Sequence, residues 1–166
     1  MKNEYKVFGD ITAIYVKKRS GKTYIVLIDT EDLEIVKSKC GSIVVNDSGD
    51  NIYANYHCKE RRRGRPLHRL IMNTPDDLLV DHIFHNSLDN RKKFLRNCTK
   101  AQNNQNLKPR RNNKYRNVYY SESMRKYAVR IQIDGVLHDL GYFEDQEEAN
   151  KAAIAFRRKH MPFSTI

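Results

Sequence analysis

Asp81 and His82 stand side by side at the end of a short apolar run, Leu78-Leu79-Val80, in the stretch VDHIFHNSLDNRKKFLRNCTKAQNNQN. Asn103, Asn104 and Asn106 follow on a polar segment that opens with Thr99. A carboxylate, an imidazole and carboxamides are the parts for metal-assisted attack on a phosphodiester, which needs an activated water, a cation on the scissile oxygens and stabilisation of the departing oxygen. His82 suits the general base, because an unperturbed imidazole titrates close to neutrality. Asp81 offers a hard oxygen ligand, and Asn103 or a neighbouring amide offers a second, neutral one. Two protein oxygens completed by phosphate and water match Mg²⁺, or another hard divalent cation such as Mn²⁺, and do not match structural zinc.

Positioning these groups sets a geometric condition. Consecutive strand residues point to opposite faces, so Asp81 and His82 can serve one site only where the strand ends or bulges. The polar run from His85-Asn86 supplies such an end. A second short apolar segment around Phe94-Leu95 predicts a partner strand, and Thr99 is placed to cap a helix carrying Asn103, with Asn106 three residues on and sharing much of its face. The predicted frame is strand, turn, strand, helix.

Charge points to a polyanionic partner. The net formal charge is +11, and it is concentrated: residues 59–130 carry nineteen basic and six acidic side chains, whereas residues 1–58 balance at eight of each. Lysines and arginines in such a block displace condensed counterions from nucleic acid. Cys40, Cys58 and Cys98 are widely spaced and never form a C-x-x-C pair, which argues against a zinc knuckle or a disulfide framework and for free thiols in a reducing cytosol. No apolar run approaches membrane-spanning length and the N-terminus has no secretory h-region, so a soluble, cytoplasmic protein is expected.

The remaining chain divides by pattern. Residues 1–58 alternate apolar and polar through Tyr5–Ile28, start a short helix after Asp29-Thr30 and resume strand character at Ile43–Val45 and Ile52–Tyr56, predicting a small β-rich module. Its role is not legible in the sequence. The arginine-rich stretch Glu60–Pro66 is a linker with phosphate contact in reach, and LHRLIM (67–72) predicts one or two helical turns ending before Pro75. His68 sits among Leu67, Leu70 and Ile71 and is expected to pack or to support the site from behind. Residues 108–114 form a second basic linker. Residues 115–166 predict three strands (Val118–Ser121, Tyr127–Ile133, Val136–Tyr142) and an Asp145-capped helix whose alanines lie close on the sheet, leaving a polar sheet face open to a ligand.

The central segment resembles the HNH endonucleases of the phage and intron-homing branch, which share the ββα-metal fold. The resemblance is carried by LHRLIM (67–72), VDH (80–82), LDNR (88–91), LR (95–96), Thr99 and the QNN-x-N run (102–106). It implies that Asp81 and Asn103 hold the divalent ion and that His82 activates water, with His68, Asn90 and Asn106 in supporting positions. One residue departs from the family pattern: the amide-bearing Asn expected before Leu-Arg, which braces the loop holding the base, is Phe94. Asn90 and Asn97 are nearby amides, but neither holds the equivalent position. The C-terminal segment resembles the APETALA-type DNA-binding domain through YRNVYY (115–120), KYAVRIQIDG (126–135), LGYF (140–143) and EEANKAAIAF (147–156), with Asn117 where a Gly is usual and Tyr127 where a Trp is usual.

Fold and function are therefore expected as follows. The chain is α+β: a β-rich N-terminal module (1–58), a ββα-metal nuclease core (59–107), a basic linker (108–114) and an APETALA-type domain of a three-stranded antiparallel sheet on one helix (115–166). The expected activity is Mg²⁺-dependent hydrolysis of double-stranded DNA by a monomer or homodimer of phage or mobile-element type in a bacterial cytoplasm. Candidate DNA contacts are Arg69, Arg91 and Arg96 in the core, Lys114 on a phosphate, and Arg116, Arg125, Arg130 and Gln132 from the sheet, where a β-ribbon in the major groove reads base edges. The competing expectation is a weakened nuclease that binds DNA without cutting it, as a repressor or inhibitor. An RNA-binding module lacks the aromatic stacking signature of common RNA readers.

Overall fold

The computed structural model describes residues 1–49, 51–58, 64–110 and 113–165. Residues 59–63 of the first arginine-rich linker and Arg111 and Asn112 of the second lie outside the described residues. The fold is mixed α/β, and its contacts divide into two compact units, Met1–Thr99 and Lys100–Ile166. No helix among the described residues is long and apolar enough to cross a membrane.

The first unit opens with an antiparallel meander, β1 (Tyr5–Phe8), β2 (Ile11–Lys17) and β3 (Thr23–Asp29). Alternation buries Thr12, Ile14 and Val16 of β2 with Tyr24, Val26 and Ile28 of β3 on one face. The expected helix after Asp29 begins as a 3-10 turn over Thr30–Asp32 and becomes α1 (Leu33–Lys39), with Leu33 and Val36 buried. A hairpin, β4 (Ser42–Ser48) and β5 (Asn51–His57), is extended by the two-residue β6 (Arg65–Pro66), which leads directly into α2 (Leu67–Ile71). The antiparallel pair β7 (Leu79–His82) and β8 (Leu95–Cys98) completes the unit.

Leu67, Ile71 and Leu95 belong to the same buried cluster as Ile14, Val26, Val36 and Ile43. The β-rich N-terminal segment and the strand pair carrying Asp81 and His82 thus share one interior. All three cysteines are free. Burial pushes the Cys40 thiol up to about 12, which makes it a packing residue rather than a nucleophile.

The second unit begins with α3 (Lys100–Asn104) and continues as a three-stranded antiparallel sheet, β9 (Val118–Ser121), β10 (Lys126–Ile133) and β11 (Val136–Phe143), in the order β11-β10-β9. Asp134 and Gly135 both have positive φ (48° and 85°), the two-residue hairpin turn that an Asp-Gly pair favours. α4 (Gln146–His160) is capped by Asp145, whose side chain accepts from the Glu148 amide. Ala149 and Ala153 are fully buried against Val118, Val129 and Ile131, so the small helix face lies close on the sheet as its spacing predicted. Asn117 has φ of 67°, the left-handed conformation that explains why this position accepts Asn in place of Gly.

Candidate functional site

His82 is the last residue of β7, and the pairing with β8 keeps a regular register through Asp81↔Arg96 and His82↔Leu95, without the bulge that would turn both side chains to one face. Both side chains are buried. Asp81 lies opposite Arg96 in the antiparallel register, and its Oδ2 accepts from Arg96 Nε at 2.9 Å and Nη2 at 2.7 Å. The carboxylate expected to hold a cation is therefore paired with an arginine expected to touch DNA.

His82 faces a different neighbourhood. Its ring meets that of His68, on α2, at 5.2 Å between centroids and 89°, and Tyr53 of β5 packs 6.1 Å from each of the two rings. Burial lowers the pKa of His82, opposed in part by the Asn90 amide and the carboxylates of Asp81 and Asp89. His68 is driven down to about 3, first by burial and then by the charges of His82 and Arg69. Both imidazoles are neutral at physiological pH. His68 Nδ1, His82 Nε2 and Asn90 Oδ1 are buried with no hydrogen-bond partner. Asn90 lies close enough to His82 to favour its protonation against the effect of burial.

The loop between β7 and β8 is fixed by the N-terminal sheet. Leu27 of β3 bonds to it on both sides, donating to Leu88 O at 2.9 Å and accepting from Asn90 N at 2.7 Å. Ser87 Oγ donates to the Ile52 carbonyl. Lys92 N donates to Asp29 Oδ2 at 2.7 Å, and Lys92 Nζ pairs with Glu31 and Asp32 at 2.8 and 2.7 Å. Arg91 grips Asp89 through two bonds, at 2.8 and 2.6 Å. These bonds bury Asn90 completely beside His82. They also give residues 1–58 a role that the sequence did not disclose: Leu27, Asp29, Glu31, Asp32 and Ile52 hold the loop beside His82.

Phe94 leads into β8 and makes no side-chain polar bond. Its ring stacks edge-on with Phe84 at 6.0 Å and lies under the Arg91 guanidinium at 4.6 Å. Arg69 is also spent internally, donating to the carbonyls of Leu78 (2.6 Å), Pro75 (2.8 Å) and Thr74 (3.3 Å).

Asn103 lies on α3, within the second unit. The end of α3 is anchored there. Arg116 donates to Gln105 O at 2.6 Å and Asn104 O at 3.0 Å, Phe163 N donates to Gln105 Oε1 at 3.2 Å, and Thr165 donates through both N and Oγ1 to Asn106 Oδ1. Burial lowers the pKa of Arg116. Asn106 is buried as the anchor of the C-terminal segment.

Of the other sheet residues, Lys114 pairs with Glu147 at 2.8 Å, and Arg130 pairs with Asp139 at 3.1 Å and reaches the Tyr142 hydroxyl at 3.3 Å. Gln132 makes one long bond, 3.4 Å to Gly135 O. Arg125 is exposed in the β9–β10 turn with no ion pair among the described residues. A groove of about 780 Å³ runs along this unit, lined by Asn104, Lys108, Arg110, Arg116, Tyr119 and Gln132 among others. Lys108 and Arg110 are basic lining residues that the sequence reading passed over, because only the folded chain brings their linker beside the sheet.

Among the described residues, no three His, Cys, Asp or Glu side chains converge on a metal-sized space. Asp81 is the one carboxylate of the expected ligand set. A single carboxylate with a carboxamide suits Mg²⁺ when phosphate oxygens and water complete the shell. No protein-family model, curated protein or solved structure matches the chain.

Proposed function

We propose that the protein is a DNA endonuclease of HNH type, with His82 as general base and Asp81 as an oxygen ligand to a divalent cation. The observation that carries this reading is the placement of His82: a buried imidazole at a strand end, next in sequence to a carboxylate, packed against His68 and Tyr53, with burial lowering its pKa. A base must be deprotonated to accept a proton, and burial supplies that state without a proton being removed first. Asn90 supports the reading further. Its amide lies against the His82 side chain, in the service that the family's middle Asn would perform and that Phe94 cannot.

In this account Asp81 would supply an oxygen ligand to the cation, and Asn103, on the second unit, is an oxygen donor that the family pattern assigns. When bound, Mg²⁺ supplies Lewis-acid stabilisation of the phosphate and the leaving oxygen. Arg96 pairs with Asp81, the carboxylate that would hold the cation, and would supply positive charge to a phosphate beside it. His82 accepts the proton of the attacking water, His68 and Tyr53 fix its ring, and the loop sewn to β3 keeps Asn90 in place. The open sheet face of the second unit, with Arg125, Arg130, Gln132 and the groove beside them, would grip duplex DNA.

A second reading is a DNA-binding protein that has lost cleavage. It is favoured by the Arg96–Asp81 pair, which occupies the carboxylate, and by Phe94. Supercoiled plasmid incubated with the protein and Mg²⁺ or Mn²⁺ separates the two. Nicked or linear product supports the nuclease; DNA retained on the protein with no product in either metal supports the binder.

A further inference from the structure

Phe84 is more exposed than any other large apolar side chain among the described residues, at 66%. Single exposed apolar residues are ordinary on protein surfaces, but three features set this one apart. It is held: His85 N donates to His82 O at 2.9 Å, closing a four-residue turn with Phe84 at its third position, and Ile83 N donates to Phe94 O at 2.9 Å. It is backed: Phe94 meets it edge-on at 6.0 Å, and Phe94 is itself covered by Arg91, which Asp89 fixes in turn. It is flanked by positive charge: Lys93 Nζ lies 5.1 Å from the Phe94 ring and has no carboxylate partner among the described residues. A ring braced from behind, presented to solvent and set among cations matches the design of side chains that stack on or wedge between bases.

We propose that Phe84 stacks on a DNA base beside the phosphate that His82 attacks, with Phe94 as its buttress. The inference rests on the DNA-cleaving reading of His82 and adds a base contact to it. Phe84 follows His82 by two residues, a span of at most about 7 Å. Successive bases on one strand rise about 3.4 Å, so the stacked base lies within roughly two steps of the scissile bond. Phe94 then exchanges one function for another: the position gives up an amide that braces the base-bearing loop and gains a ring that braces a wedge.

The chain contains no Trp, so Phe84→Trp places a single reporter at this point. Titration with a fluorescein-labelled duplex of mixed sequence, with Ca²⁺ in place of Mg²⁺ to block cutting, should quench the Trp emission as DNA anisotropy rises. Phe84→Ala should bind the duplex roughly tenfold more weakly, with an unchanged circular dichroism spectrum. A duplex carrying a fluorescent adenine analogue should brighten on binding wild type and not on binding Phe84→Ala. The proposal is overturned if anisotropy shows a complex while Trp emission and the adenine analogue stay unmoved and Phe84→Ala binds like wild type. It is overturned together with the DNA reading if no duplex binds at all. Quenching and binding without cleavage in Mg²⁺ would keep the wedge and remove only the nuclease.

Discussion

The rings of His68 and His82 meet edge to face at 5.2 Å, both buried, and neither carries a charge at neutral pH. Two imidazoles this close penalise each other's protonation, and burial adds to the penalty. The pair is therefore favoured as two neutral rings, the form that the proposed role of His82 as a base would need.

Acid should weaken the fold through His68. Its pKa is about 3 in the folded chain against 6.5 for the free side chain. The unfolded state binds the extra proton, so the stability contribution is complete above 6.5 and falls as the pH drops toward 3. At about pH 5 the expected loss is about 2 kcal/mol relative to neutral pH. The groups facing His68 are His82, Tyr53 and Arg69. Urea titrations at both pH values should show the loss in wild type and less of it in His68→Phe, which keeps a ring and removes the titration. An equal acid sensitivity in the variant would place the effect elsewhere.

Removing Arg96 should make the fold sense divalent cations. Arg96→Ala leaves Asp81 buried with its main cationic partner gone, a cost of about 1–3 kcal/mol. If Asp81 is a cation ligand, Mg²⁺ should restore part of that loss, and the Mg²⁺-induced rise in Tm should be larger in the variant than in wild type. Equal responses would argue against Asp81 as a ligand.

Asn90→Ala should destabilise the first unit by about 2 kcal/mol, through the cavity and the lost bond to Leu88 O. On the nuclease reading it should also reduce cleavage while leaving DNA affinity unchanged, since the side chain is fully buried. A variant with lowered stability and full cleavage at saturating DNA would reduce Asn90 to a packing residue.

Arg116 is expected to act as a clamp on α3. Arg116→Ala removes two charge-assisted bonds to the last carbonyls of that segment, and hydrogen exchange at the Gln105 and Asn106 amides should quicken by about tenfold. Unchanged exchange with weakened DNA binding would return Arg116 to the sheet's contact surface.

How much of this was written in the sequence depends on the range of the interaction. Asp145, the Asp134-Gly135 turn and the alanines of α4 act within a few residues of themselves, and their roles were legible. So was the need for His82 to end a strand. Tyr53 reaches the His82 ring only because β5 packs beside α2 and β7, and no local pattern announces that. The parallel stitch of Leu27 to Leu88 and Asn90 joins residues some sixty apart in sequence, roughly the whole length of the first unit's middle. Candidate DNA contacts followed from charge in the core and from the family's sheet face in the C-terminal segment, and neither criterion reveals that Arg69 is bonded to three carbonyls or that Arg116 is bonded to two. The ion-paired state of Asp81 was likewise invisible until Arg96 appeared opposite it.

The most direct measurement is single-turnover cleavage of supercoiled plasmid in Mg²⁺ by wild type, Asp81→Ala, His82→Ala and Asn103→Ala, with DNA binding followed in the same samples. The account predicts nicking by wild type, loss of at least about a hundredfold in each variant, and retained DNA binding in all. Wild-type cleavage that survives His82→Ala at full rate would contradict it.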